Sequence, residues 1–315
     1  MEGRALIRLA RLRQAWNRFF YEPASPLPVA VYRAMYGFLV LVNVLLLLPD
    51  AADWFSELGV VPLSIEHKLE PMSRLDLMAL LPGTPEAARI YLLVLAAAAA
   101  CLMLGFYTRI AAVVTYLGLT SLHHRNVFIL HGGDTLLRVM GFYLVFADAG
   151  ARLSLDRWFS GEKRPPPNVA PWAQRLMQLQ LCALYLFTSL SKMSGNLWAD
   201  GTAVYYVLNL DEFRRFPVPL VADYLPLVKL ATWGTLVVEF SLATLIWVYE
   251  WRYKVLLAGL LLHLGIEWSM NVPLFQWAAI AGYVLFIPAE DIEATLDRLK
   301  AWLRPGRARR AVEAA

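Results

Sequence analysis

Apolar runs long enough to cross a bilayer recur along almost the whole chain, and they constrain its fold more than any other feature. The run "LPVAVYRAMYGFLVLVNVLLLL" at 27–48 is the first of them. A helix needs about 20 such residues to span hydrocarbon. Of the 315 residues, 59% are hydrophobic and only 17% are charged, so little sequence is left for a separate soluble domain. The sequence predicts an all-α integral membrane protein, built as a polytopic helical bundle.

The apolar runs divide into about eight predicted transmembrane helices. Their approximate bounds are 28–48, 88–105, 107–123, 133–148, 173–191, 225–248, 254–270 and 273–288. With this count, the basic leader 1–24, the basic loop after the fourth span and the basic tail 289–315 share one side. The acidic loop 49–87 lies on the other side. The positive-inside rule then predicts that both termini are cytoplasmic.

The leader 1–24 alternates arginines with apolar residues at helical spacing, including Leu9, Leu12 and Trp16. This pattern is typical of a helix that lies on a membrane surface rich in anionic lipids. The net charge of +4 and the pI near 9.0 are explained by these membrane-flanking residues. We therefore expect no nucleic-acid partner.

Charged residues inside predicted spans are rare, and each marks a candidate site. We expect Arg33 to reach the cytoplasmic interface along its own helix. Asp134 and Arg138 are four residues apart, so they share a helix face and are expected to pair. The same spacing separates His263 from Glu267, which could bond each other, relay a proton or bind a metal. Glu239 falls near mid-span, where a carboxylate pairs or stays protonated.

The most polar stretch on the predicted outer side is "LHHRNVFILHGGD" at 122–134, which holds His123, His124, Asn126, His131 and Asp134. Two readings stay open. These residues could form the polar lip of a pocket that faces Lys192, or they could be ordinary polar loop residues. Their spacing matches no metal-binding pattern, so no metal is predicted.

Lys192 ends an apolar run in "YLFTSLSKMSGNLWADGTAVYY", residues 185–206. A lysine at a helix end, followed by Trp198, is typical of an interfacial anchor. If Lys192 instead faces the bundle interior, desolvation would make it a usable base, with Tyr185, Trp198 and Asp200 nearby in the chain. The sequence pattern alone leaves both possibilities open.

Three motifs resemble those of one family of membrane proteins. They are the 185–206 run, "GFYLVFADAGARLSLDRW" at 141–158 and "DWFSELGVVPLS" at 53–64, with "VEFSLA" at 238–243 and the His263 segment following in order. Together they resemble the HTTM family, bacterial membrane proteins related to vitamin K-dependent gamma-carboxylase. The resemblance covers roughly 25–288 and implies one transmembrane domain between the leader and the tail.

The resemblance also implies a chemistry. In the carboxylases, a lysine that matches Lys192 deprotonates reduced vitamin K, which then takes up dioxygen and proceeds toward an epoxide while a glutamate is carboxylated. It implies that this chain uses reduced vitamin K or another quinol in the bacterial inner membrane, at a site on the extracytoplasmic face, with or without glutamate carboxylation of a peptide or protein substrate. A different class of function remains open, a non-enzymatic helper in peptide maturation or export. A proton-coupled transporter that uses Glu239 and His263 is a third possibility.

Overall fold

The computed structural model describes residues 2–62, 65, 74–162, 164 and 166–303, and within them it contains helices and no β-strand. Residues 304–315 of the predicted basic tail and part of the acidic 49–87 loop lie outside the described residues. The α-helices, numbered along the chain, are α1 (Glu2–Tyr21), α2 (Leu27–Leu47), α3 (Ala51–Phe55), α4 (Pro85–Leu104), α5 (Thr108–Arg125), α6 (Gly132–Phe146), α7 (Leu155–Phe159), α8 (Trp172–Met193), α9 (Asn196–Ala199), α10 (Ala203–Leu208), α11 (Pro219–Ala222), α12 (Leu225–Ala243), α13 (Tyr249–Ser269), α14 (Phe275–Tyr283) and α15 (Ala289–Leu303). Short 3-10 turns occupy Met78–Leu80, Val127–Ile129, Leu245–Trp247 and Val284–Phe286.

Each of the predicted spans coincides with one helix of the fold. Three of these helices are long and apolar enough to cross a bilayer: Leu27–Leu47, Pro85–Leu104 and Leu225–Ala243. The segment Phe275–Phe286 is a shorter apolar helix. The helical membrane class is therefore confirmed. The count of eight spans and the cytoplasmic position of both termini stay predictions.

Local sequence explains where the helices begin and end. The Thr84 hydroxyl accepts a hydrogen bond from Ala87 N and Pro85 occupies the first turn, which together start α4. Gly105 ends the same helix in the left-handed region, with φ of 71°. At α6, His131 Nδ1 accepts from Gly133 N while Asp134 Oδ2 accepts from His131 N, an arrangement that satisfies two free backbone donors.

Small residues let the helices of the first half pack closely. A Cβ on Gly37 of α2 would lie 2.5 Å from the backbone N of Met103, so only glycine fits where α2 crosses α4. Buried Ala88, Ala96 and Ala99 line the facing side of α4. Small residues at helix crossings are the usual basis of packing inside a membrane.

Arg33 does not reach the interface, so the expectation for this residue is wrong. The side chain is fully buried and donates to the carbonyls of Leu102 at 2.6 Å, Met103 at 3.1 Å and Leu153 at 2.6 Å. The last carbonyls of a helix lack partners within the helix. Arg33 satisfies those at the end of α4 and ties α2 to the connector before α7, which a solvated arginine could not do.

The long helices alternate in direction, which gives the bundle two distinct ends. At the end that holds most of the basic residues, Arg152 contacts Glu293 and Tyr253 contacts Asp291, so α15 is fixed against the connector and α13. At the opposite end, Asn126 Nδ2 donates to Trp54 O at 3.0 Å, joining α5 to the segment after α2. The side of the membrane on which each end lies stays a prediction from the charge of the loops.

Candidate functional site

Lys192 and Glu239 form an ion pair between the last turn of α8 and the inner part of α12. The lysine side chain is 28% exposed and the carboxylate only 9%. The second carboxylate oxygen, Glu239 Oε2, is buried with no hydrogen-bond partner in the described part of the chain. The sequence predicted that Glu239 would pair or stay protonated, and the structure identifies its partner as the candidate base.

The pair is recessed within the bundle. Glu239 lies about fourteen residues along α12 from Leu225, or roughly 21 Å at the helical rise of 1.5 Å per residue. Lys192 contacts Glu239 at this distance from the start of α12. Along the chain, the short helices α9 to α11 and their connections lie between Lys192 and the start of α12. An interfacial anchor would have its ammonium group at the helix end, so this geometry favours the inward-facing interpretation of Lys192.

Trp198 and the turn that follows it hold one side of the lysine. Lys192 Nζ lies 5.2 Å from the centre of the Trp198 ring, a distance at which the ring attracts a cation. Trp198 O accepts from Trp233 Nε1 at 3.2 Å. Gly201 has φ of 77°, and a Cβ there would lie 2.9 Å from the Trp233 ring. The Trp-x-x-Gly part of the motif therefore fits the turn closely against α12.

A cleft of about 670 Å³ opens beside Lys192 and Trp198. Most of its wall is apolar and comes from α10 to α13. The lining residues are Lys192, Trp198, Val204, Val207, Leu208, Val218, Val221, Ala231, Gly234, Thr235, Val238, Ala258, Leu261, Leu262, Gly265, Ile266, Trp268, Ser269 and Met270. A large apolar cavity with one charged end is the usual form of a site for a lipid-soluble ligand with a polar group.

A chain of buried hydrogen bonds lies deeper in the same half of the bundle. His263 Nδ1 bonds Gln276 Oε1, and His263 Nε2 lies 2.6 Å from the Tyr185 hydroxyl. The Tyr185 and Tyr283 hydroxyls are 2.9 Å apart. With the Gln276 oxygen as acceptor, Nδ1 donates and Nε2 accepts from Tyr185, which defines one neutral tautomer of His263. Sequence reasoning missed Gln276 and Tyr283, although a glutamine in an apolar helix was a visible signal.

Glu267 takes no part in this network. It pairs with Arg215, with Nη1 and Oε1 2.5 Å apart, while both ring nitrogens of His263 have other partners. His263 and Glu267 therefore do not bond each other, and a proton relay through them stays a prediction. Their shared helix face did not bring them together because each has a better partner on another segment.

The histidines near the start of α6 form a separate cluster. His123 Nε2 lies 3.6 Å from Asp134 Oδ1, and His131 Nε2 lies 3.4 Å from Asp134 Oδ2. Arg138 is half-buried, and within the described residues it forms no ion pair with Asp134. The predicted Asp134–Arg138 pair is wrong, and the Asp134 carboxylate instead accepts a hydrogen bond from His131 N in the helix cap.

Two other pocket candidates contact the 49–87 segment. His124 Nδ1 lies 2.9 Å from Leu75 O, and Asn126 donates to Trp54 O, so both contact the backbone of the 49–87 segment. Asp200 is exposed. None of these three side chains lines the cleft beside Lys192. Their role in binding stays a prediction.

Among the described residues, no group of three or more His, Cys, Asp and Glu side chains is arranged to hold a metal ion. The expectation that no metal is bound stays a prediction. The two chemical features of the described bundle that stand out are the recessed Lys192–Glu239 pair and the apolar cleft beside it.

Fold and site together define a helical membrane protein with a lysine–carboxylate pair whose lysine borders an apolar cleft. The HTTM domain model matches residues 21–290, so the chain belongs to the HTTM family. This membership relates it to the transmembrane domain of gamma-carboxylase.

The chain is also similar to an uncharacterized protein of Bacillus subtilis strain 168, YitO, with 23% identity over 206 residues. The match covers 62% of this chain and 65% of YitO, so it spans less than two thirds of that relative. No solved structure matches the chain.

Proposed function

We propose that this protein is a quinol-oxygenating enzyme of the bacterial inner membrane. Its reaction converts a reduced quinone and dioxygen into the quinone epoxide and water, with Lys192 as the base that removes a phenolic proton. The observation that carries the proposal is the position of Lys192, which borders the apolar cleft and is bonded to Glu239 behind it.

The Lys192–Glu239 pair supplies a route to a free amine. As an ammonium ion, Lys192 cannot accept a proton. The carboxylate bonded to it is the nearest acceptor, and poor solvation reduces the energetic advantage of a charged pair over a neutral amine and carboxylic acid. Transfer of a proton from Lys192 to Glu239 therefore leaves a neutral amine facing the cleft.

The cleft supports a ligand with a ring and a lipid-soluble tail. Apolar side chains of α12 and α13 would contact the ring, and Lys192 would meet its hydroxyl group at the closed end. Reduced vitamin K or another quinol of the bilayer fits this description. In this proposal the site lies near the extracytoplasmic face, and anionic lipids bind the basic leader.

The test uses the full chain in lipid nanodiscs, supplied with menaquinol and dioxygen. We expect epoxide from the wild type and a rate about 10² to 10⁴ lower for Lys192→Ala, the range that general bases contribute. Epoxide is measured by mass spectrometry together with oxygen consumption. Equal rates in the two proteins, or no epoxide from either, would overturn the proposal.

A parallel reaction with a glutamate-containing peptide and labelled carbon dioxide tests whether carboxylation accompanies oxygenation. Label in the peptide that depends on both the quinol and Lys192 would extend the activity to a peptide substrate. Oxygenation without label would limit it to the quinol.

A further inference from the structure

The wall of the cleft beside Lys192 includes apolar side chains that are exposed at the surface of the bundle. Two residues of its wall, Leu261 and Trp268 of α13, are 62% and 59% exposed. The facing helix, α12, is long and apolar enough to cross a bilayer. With α12 across a bilayer, these exposed apolar side chains would contact lipid, and the mouth of the cleft beside them would face hydrocarbon.

Two glycines lie in the wall of this opening, Gly234 on α12 and Gly265 on α13. A Cβ added to either one would have no heavy atom within 4 Å. Gly259 on the same α13 provides the contrast, because a Cβ there would lie 2.6 Å from the Tyr283 hydroxyl oxygen. Helix packing thus requires glycine at 259 but not at 234 or 265, where the missing side chain leaves the cleft wider.

We propose that Gly234 and Gly265 form a lateral entrance through which the flat ring of a quinone passes from the bilayer to Lys192. The inference rests on the proposed function for the identity of the ligand. Between two helices, the absence of side chains on both sides leaves a slot, and a planar ring needs such a slot to pass edge-on. The Trp198 ring beside Lys192 offers a stacking surface at the inner end of the path.

Binding is measured with menadione, an oxidised naphthoquinone, as a quencher of tryptophan fluorescence in nanodiscs. Trp198 and Trp268 line the cleft and report the ligand. Gly234→Leu and Gly265→Leu each place a branched side chain in open space, and we expect menadione affinity to fall roughly tenfold or more. Ala97→Leu is the matched control, since Ala97 is an exposed position of α4 and we expect wild-type affinity.

A smaller substitution at the same position distinguishes a blocked entrance from a disturbed fold. Gly265→Ala adds one methyl group where nothing lies within 4 Å, so the thermal midpoint should not fall below the wild-type value, while menadione affinity falls less than with leucine. Wild-type affinity in both leucine variants would overturn the inference. Loss of bound phospholipid from those variants with unchanged menadione binding would also overturn it, because the cleft would then hold an acyl chain.

The binding readout is independent of turnover. If the wild type forms no epoxide but the leucine variants still bind menadione more weakly than the wild type, the proposed chemistry is wrong and the proposed entrance is supported. If the leucine variants form epoxide at the wild-type rate and bind menadione normally, the entrance fails and the chemistry stands.

Discussion

Lys192 and Glu239 are more informative as a pair than either residue is alone. A charge in a poorly solvated site is costly unless an opposite charge offsets it, and removing one partner leaves the other uncompensated. The carboxylate is 9% exposed, so Glu239 depends on Lys192 more than Lys192 depends on Glu239. This asymmetry gives the pair a thermodynamic signature that an accidental surface contact would lack.

We expect Lys192→Met to lower the free energy of unfolding by about 3 kcal/mol, because it leaves a buried carboxylate without a partner. The double variant Lys192→Met/Glu239→Leu should regain most of that loss, to within about 1 kcal/mol of the wild type. Denaturation in mixed micelles, followed by circular dichroism, gives the three values. Additive losses in the double variant would mean that the two side chains do not interact.

The Tyr185 hydroxyl joins His263 to Tyr283, so its removal affects two buried partners at once. We expect Tyr185→Phe to destabilise the fold by about 2 kcal/mol, since a buried group left without a hydrogen bond costs about 1–3 kcal/mol. Tyr206→Phe, at a residue that is 52% exposed, removes the same atom and should change stability by less than about 0.5 kcal/mol. Equal effects of the two changes in the same denaturation assay would argue against the buried network.

Sequence reasoning selected Lys192, Tyr185, Glu239 and His263, but it did not predict how they are paired. Within a helix, spacing of four residues predicts proximity. Among the described residues, however, Asp134 forms no ion pair with Arg138. His263 and Glu267 also do not bond each other, because each has a partner on another segment. The real partners are distant in sequence, because Lys192 finds Glu239 on another helix. Such contacts depend on helix crossings that no local pattern encodes.

At the scale of elements, α13 shows that one residue type has opposite roles within two turns of a helix. Gly259 meets Tyr283 and Leu242, whereas Gly265 borders the open cleft. We expect Gly259→Ala to destabilise the fold by about 1–3 kcal/mol through overpacking. Gly265→Ala should be neutral or stabilising by up to about 1 kcal/mol, because alanine favours the helix. Thermal denaturation of the two variants compares them directly, and similar midpoints would contradict this assignment.

Asp156 fixes the start of α5 from a distant part of the chain. Its carboxylate accepts from Tyr107 N at 2.7 Å and from Thr108 N at 2.8 Å. Burial alone would raise the pKa of Asp156, but the hydrogen bonds from Thr108 and Tyr107 and the charge of Arg33 outweigh burial and hold it below its usual range. A carboxylate at a helix N-terminus also interacts favourably with the helix dipole.

The lowered pKa of Asp156 makes this contribution dependent on pH. Because the folded value lies below the unfolded one, the stabilisation is present at neutral pH and is lost as the pH falls below about 4 toward the folded value. We expect Asp156→Ala to cost about 1 kcal/mol at neutral pH, typical of a helix cap. The difference from the wild type should shrink in acid, and a difference that is constant between pH 7 and pH 3 would show that the charge is not involved.

Some of the motifs that suggested the family have structural roles, and others contribute residues to the candidate site. In the 141–158 motif, Ser154 caps α7 and Asp156 caps α5. In the 53–64 motif, Trp54 O accepts a hydrogen bond from Asn126 Nδ2. The 185–206 motif contributes Lys192, Trp198 and Val204 to the cleft, and the 238–243 segment contributes Val238. Hydrophobicity predicted where the helices lie, whereas their ends and the burial of Arg33 depend on caps and carbonyl contacts formed between segments.

At the scale of the whole molecule, the position of Lys192 relative to the membrane follows from the topology prediction. That prediction assumes that each span reverses the chain, so that loops alternate between the two sides of the membrane. The depth of Lys192 in the bundle was not predictable. It depends on how far α12 extends beyond the end of α8 and on how the short helices α9 to α11 pack there.

The same alternation predicts which end faces the cytoplasm. Asp200 follows α9 near the cleft end, and Ser160 follows α7 at the basic end; both are exposed. In a background with Cys101 and Cys182 replaced by alanine, we expect Asp200→Cys to react with a membrane-impermeant maleimide in intact spheroplasts. Ser160→Cys should react only after the membrane is permeabilised. The reverse pattern would place the lysine end in the cytoplasm, and the quinol would then have to reach Lys192 from the cytoplasmic side. Labelling of both positions in intact spheroplasts would contradict an odd number of membrane crossings between α7 and α9.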